Sequence, residues 1–101
     1  PSQPAECTEW LDRDANTHTV QLMASQAETD LRVYIADHAL SDSAICHYKV
    51  KGKFWYALLY GRYGSADSAR TALAALPAAV RAGGGYVRRI AEIRTAVNNV
   101  R

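Results

Sequence analysis

The sequence predicts an α+β domain of element order βαββαβ: a four-stranded antiparallel sheet, two helices on one face, and a short helix at each end. Three observations predict it. The run from Gly52 to Pro77, GKFWYALLYGRYGSADSARTALAALP, reads as a strand, a glycine break and a helix. The stretch His18 to Ala24 (HTVQLMA) alternates with period two and leads into a segment with helical spacing. A short strand-like stretch, Tyr86 to Arg89, follows three consecutive glycines and precedes Ile90, Ile93, Val97 and Val100, again at helical steps.

Each element has its own warrant. Ala5 to Leu11 (AECTEWL) carries helix formers, with Trp10 and Leu11 as its apolar anchor, and polar Asp12 to Thr17 reads as a loop. In the first strand Val20 and Leu22 point one way; Thr19, Gln21 and Met23 point the other. Ser25 or Thr29 caps the next helix, whose first turn holds Glu28 and Asp30 and whose inner stripe is Leu31, Ile35, His38 and Ala39, with Tyr34 beside it. Ser41 to Ser43 is a polar loop, and Ala44 to Val50 is a second strand whose faces the pattern does not assign. Lys51-Gly52-Lys53 is the hairpin turn, because glycine takes φ > 0 cheaply and lysines keep the tip hydrated.

The third strand, Phe54 to Tyr60, has Tyr56, Leu58 and Tyr60 on one face and Trp55, Ala57 and Leu59 on the other; Gly61 and Gly64 end it. Ser65 caps the following helix, Asp67 suits its positive end, and Ala69, Ala72, Leu73 and Leu76 share a face closed by Pro77. Ala78 to Gly85 reads as a flexible loop; in the fourth strand Val87 faces inward, with Tyr86 and Arg88 outward. The arrangement is the split βαβ pattern, ferredoxin-like or RNP-like. Residues 1–16 form a leading helix and loop, and residues 17–101 form the domain proper with its terminal helix.

Size and composition bound the function. The chain has 101 residues, 49% of them hydrophobic and 22% charged, which is one folded domain rather than a disordered chain. The net charge of +2 implies no strong pull toward nucleic acid, and no apolar run is long enough to span a bilayer. The start at Pro1 reads as that of an excised domain. Cys7 and Cys46 show no metal-ligand spacing; they are either a bridge or two buried thiols. His18, His38 and His47 are scattered, as are the carboxylates, and no nucleophile motif or phosphate loop is present. Catalytic residues, metal and cofactor: none are expected. A non-enzymatic binding domain is the expectation.

If the two long helices cover the face of Tyr56 and Leu58, the opposite face is open and carries Gln21, Met23, Trp55, Leu59 and Tyr86. An aromatic on an open sheet points to a ligand. RNA is one class: Lys51-Gly52 fits the start of the third-strand signature of RNA-recognition domains, but Lys53 and Phe54 then break it. Sugar is another, because flat rings such as Trp55 and Tyr86 pack on pyranose C–H faces while Gln21 and Ser25 offer hydrogen bonds. A protein-docking patch, or a face covered by a terminal helix, remains open on the residues alone.

Trp10-Leu11, Thr19-Val20-Gln21-Leu22, the Gly52-to-Tyr56 hairpin, Gly61-Arg62-Tyr63-Gly64-Ser65, Ala69, Ala72-Leu73 and Tyr86-Val87-Arg88 with Ile90 resemble, in order and spacing, a SPOR (sporulation-related repeat) domain, most like that ending DamX-type cell-division proteins. The resemblance covers about residues 10–95. It implies a module that binds peptidoglycan glycan strands lacking stem peptides, found at division septa, on the periplasmic side of a bitopic inner-membrane protein. It also implies possible division-protein partners, no nucleic acid and no insertion of the domain itself into the membrane. The oxidising periplasm favours a Cys7–Cys46 bridge. Carried over, Gln21 matches the first-strand glutamine, Trp55 the third-strand tryptophan and Tyr86 a fourth-strand aromatic that is often Trp. Met23 and Ala24 stand where small or hydroxyl-bearing residues are usual, so Ser25 supplies the hydroxyl. Met23, Leu59 and Arg88 complete the expected glycan-binding set, with Arg88 bordering the cleft.

Overall fold

The computed structural model describes residues 7–11, 17–81 and 84–98. Parts of the expected first helix and loop (residues 5, 6 and 12–16) and Val100 lie outside them. The elements are α1 (Cys7–Leu11), β1 (His18–Ser25), α2 (Glu28–His38), β2 (Ser43–Val50), β3 (Lys53–Tyr63), α3 (Ala66–Ala74), α4 (Ala78–Arg81), β4 (Tyr86–Arg89) and α5 (Ile90–Asn98). The strands form one antiparallel sheet in the order β2-β3-β1-β4. The α+β arrangement expected from the sequence is the observed one.

Local chemistry explains most boundaries. Lys51 (φ 51°) and Gly52 (φ 82°) both take left-handed conformations, which is what a two-residue hairpin turn matching strand twist requires. The Ser65 hydroxyl accepts the Ser68 backbone N–H at 3.1 Å and caps α3 as expected. The α2 start differs. Ala27 occupies the cap position without a side-chain bond, while the Ser25 hydroxyl accepts the Ala27 N–H at 3.1 Å and donates to Asp30 at 2.7 Å. Ser25 thus ties the strand-to-helix turn together.

At its other end α2 stops one residue earlier than the apolar pattern suggests. Ala39, expected on the inner stripe, is exposed at φ 52°, and Leu40 turns back into the core with its N–H donated to the Ile35 carbonyl at 3.1 Å. This six-to-one closure wants glycine in the left-handed position. Ala39→Gly is therefore expected to stabilise the fold by about 0.5–1 kcal/mol, raising the melting temperature by several degrees in calorimetry. Two further expectations are corrected. Strand β3 does not end at Gly61 but runs through it to Tyr63, and part of the presumed loop after Pro77 is α4, with Val80 buried.

Gly61 stays in the strand as a bulge. Between the pairs His18↔Tyr63 and Val20↔Tyr60, β3 contains one extra residue, and Gly61 absorbs the kink at φ 72°. A second irregularity falls between Gln21↔Leu59 and Met23↔Leu58, where the extra residue is on β1. Strand side chains alternate, so one inserted residue reverses everything after it. Gln21 faces one side of the sheet. Met23, which strict alternation places beside it, packs with the opposite side instead.

Two apolar layers result. On one face Val20, Leu22, Leu31, Ile35, Leu40, Leu58, Ala69 and Val80 are buried under α2 and α3, with Met23, Tyr56 and Tyr60 against them. On the other, Trp10, Leu11, Ala44, Cys46, Ala57, Leu59, Ile90 and Ile93 form a second cluster. The second face is thus not wholly open: α1 and α5 cover one end of it. Cys7 is bridged to Cys46, which fastens α1 to β2. The Trp10 indole N–H donates to the Thr19 hydroxyl at 3.4 Å, and that hydroxyl donates to the Gly61 carbonyl at 2.6 Å. A guanidinium N–H of Arg94 on α5 donates to the Leu11 carbonyl. Ile90 opens α5 directly after β4, its N–H donated to the Thr17 carbonyl at 2.9 Å.

Candidate functional site: the uncovered end of the second sheet face

The pairing register says which side chains share the uncovered area. Cys46↔Ala57 and Ala44↔Leu59 belong to the second face, so two residues further along β2 and β3 the pair Tyr48↔Trp55 lies on it too. On the other side Gln21↔Tyr86 and Thr19↔Arg88 place Tyr86 and Arg88 there. Between these borders the register sets Ala57 opposite Ala24. Four rows along β3 separate Trp55 from Leu59, whose row holds Gln21 and Tyr86, and two strand spacings separate β3 from β4. Trp55 and Tyr86 are thus on the order of 15 Å apart at their backbones.

Neither ring is part of a core. Tyr86 is 50% exposed and Trp55 is half-buried, and neither packs into either buried cluster. Between them lies a polar network. Gln21 is only 4% exposed; its side-chain Oε1 accepts from Arg88 Nη1 at 2.9 Å. The Arg88 guanidinium also sits 6.0 Å from the Tyr86 ring centre. Tyr48 on β2 reaches the same group. Burial pushes its phenol pKa up, nearby Tyr86 adds to this, and Arg88 and a hydrogen bond with Gln21 pull it back. Side chains from β2, β1 and β4 therefore converge on one spot.

The charges are segregated. None of the four strands contains an Asp or Glu, yet they hold Lys49, Lys53, Arg62, Arg88 and Arg89. Among the described residues both ion pairs lie on helices, Arg32 with Glu28 and Arg70 with Asp67. The chain's net charge of +2 conceals a sheet whose charged residues are all basic. Such a surface offers flat rings and cations.

The SPOR domain family model matches residues 14–89. The chain belongs to the SPOR domain family. It is also similar to "Cell division protein DamX" of Serratia marcescens, 32% identical over 77 residues, which are 76% of this chain and 36% of that protein. The chain thus spans about a third of the relative's length.

Within this SPOR domain the anticipated residues separate into three groups. Gln21, Trp55, Tyr86 and Arg88 share the uncovered face. Leu59 lies on the same face but is fully buried beneath α1 and α5, where it packs as part of the floor. Met23 and Ser25 are turned to the other side: Met23 by the bulge in β1, Ser25 by its pairing with Tyr56 and its role in the turn before α2. The residue that sequence reasoning missed is Tyr48. Its signal was present, because the Cys46 partner of a buried bridge and Tyr48 have the same parity on β2. Ile45 and His47 take the helix-covered side, where His47 stacks on Tyr56 at 4.4 Å between ring centres.

Proposed function

We propose that this SPOR domain binds the glycan strands of peptidoglycan, prefers strands stripped of their stem peptides, and so brings a larger protein to division septa. The observation that carries the reading is the pair Trp55 and Tyr86, two rings outside both cores on either side of the Gln21–Arg88–Tyr48 network. Rings spaced along a strand surface suit a ligand that repeats flat apolar faces, and the guanidinium between them, held by the Gln21 amide, suits its hydroxyl and carbonyl groups. A linear polysaccharide has both. Membership of the SPOR family and likeness to a protein named for cell division support the same reading.

The Cys7–Cys46 bridge supports an oxidising compartment, which for a wall-binding module is the periplasm. No helix among the described residues is long and apolar enough to cross a membrane, so the attachment of a bitopic inner-membrane protein would lie elsewhere in the longer chain. The test is co-sedimentation with purified sacculi before and after an amidase removes the stem peptides. Stronger retention on the stripped sacculi is the expected result. Retention on neither would overturn the reading and turn attention to a protein partner for the same face.

A further inference from the structure

Arg88 is a half-buried guanidinium held in a set pose, with no counter-ion among the described residues. One N–H is given to Gln21 at 2.9 Å, and the Tyr86 ring lies 6.0 Å away. No carboxylate among the described residues pairs with it, and no strand of the sheet supplies one. Gln21, itself 4% exposed, accepts this bond from a buried position, so the guanidinium is anchored on its inner edge. Four further N–H donors of its fork remain for what lies on the surface. An anchored arginine fork without an acid is the geometry that recognises a carboxylate or phosphate from a ligand.

Resting on the glycan reading, the chemistry of the stripped strand identifies that acid. In intact peptidoglycan each stem peptide is joined by an amide to the lactyl group of muramic acid. Hydrolysis of this amide adds one water, frees the peptide's amino group, and leaves a carboxylate on the sugar. Each stripped sugar therefore carries a carboxylate where the sugar of the intact unit carries a neutral amide. We infer that Arg88 binds this lactyl carboxylate, so that stripped strands are selected by the charge they acquire and not only by the bulk they lose. Gln21 and Tyr48 are positioning residues for it. Trp55 and Tyr86 bind stripped and neutralised strands alike, because ring packing does not depend on the sugar's charge.

The test separates charge from bulk. Glycan strands released by an amidase are compared with the same strands after their carboxylates are coupled to methylamine, which restores a small neutral amide. Binding is read by calorimetry or by tryptophan fluorescence. The unmodified domain is expected to bind the carboxylate strands roughly tenfold to a hundredfold more tightly than the methylamide strands. Arg88→Gln should bind both forms equally, at the level of the unmodified domain with the methylamide; Arg88→Lys should keep part of the preference. Circular dichroism checks that the variants are folded. Equal affinity of the unmodified domain for both forms overturns the carboxylate inference and leaves the glycan reading intact. Binding to neither form overturns both.

Discussion

Alanine in place of Trp55 is expected to weaken binding to stripped glycan roughly thirtyfold, the scale of losing one central aromatic anchor at about 2 kcal/mol. The fold should lose much less. Trp55 lies outside both buried clusters, and its place on β3 is beyond Ser25, the last residue of β1 to pair. What remains is its cross-strand contact with Tyr48, worth up to about 1 kcal/mol. The expected signature is a large rise in Kd with a melting temperature within a few degrees of the unmodified domain. Retention unchanged by Trp55→Ala would remove the ring platform and with it the main support for the glycan reading. Gln21→Ala makes a useful contrast: it should weaken binding by freeing Arg88 and Tyr48, although Gln21 itself is almost inaccessible.

Opening the Cys7–Cys46 bridge, by reduction or by the double Cys7→Ala, Cys46→Ala replacement, should cost the largest single amount of stability. The two cysteines are 39 residues apart in sequence, and closing a loop of that size restricts the unfolded chain by about 4 kcal/mol. For a domain of this size that corresponds to a fall of roughly 15–30 °C in melting temperature. The consequence is structural as well as entropic. The bridge fastens α1 to β2, and α1 places Trp10 and Leu11 over Ala44 and Leu59. Five residues cannot hold a helix by themselves. Without the bridge this end of the second face should loosen, and Cys46 is two residues from Tyr48 on the same side of β2. Thermal melts with and without reductant check this; a shift of only a few degrees would mean that Trp10 packing alone retains α1.

The element order was legible because its signals are local. The period-two run around Val20, the Lys51-Gly52 turn and the Ser65 cap each depend on residues a few positions apart. The faces of β3 were legible too, since Tyr56, Leu58 and Tyr60 alternate with Trp55, Ala57 and Leu59 without interruption. The site was legible in outline. Gln21, Trp55, Tyr86 and Arg88 do share a face, whereas Met23 and Ser25 leave it and Leu59 is covered. Net charge left the distribution of charge unread. A sum over the chain cannot show that every described carboxylate lies outside the strands.

By itself, the sequence determined the α+β class, the strand and helix order, the hairpin turn and which β3 rings face away from the long helices. Only the tertiary structure decided three things: that a bulge sends Met23 to the other side, that α1 and α5 close one end of the second face, and that Tyr48 joins Gln21 and Arg88. The physical reason is range. Propensity, capping and alternation act between near neighbours along the chain, while a bulge, a bridge between Cys7 and Cys46, or the meeting of Tyr48 with Gln21 and Arg88 depends on segments brought together from distant parts of the sequence.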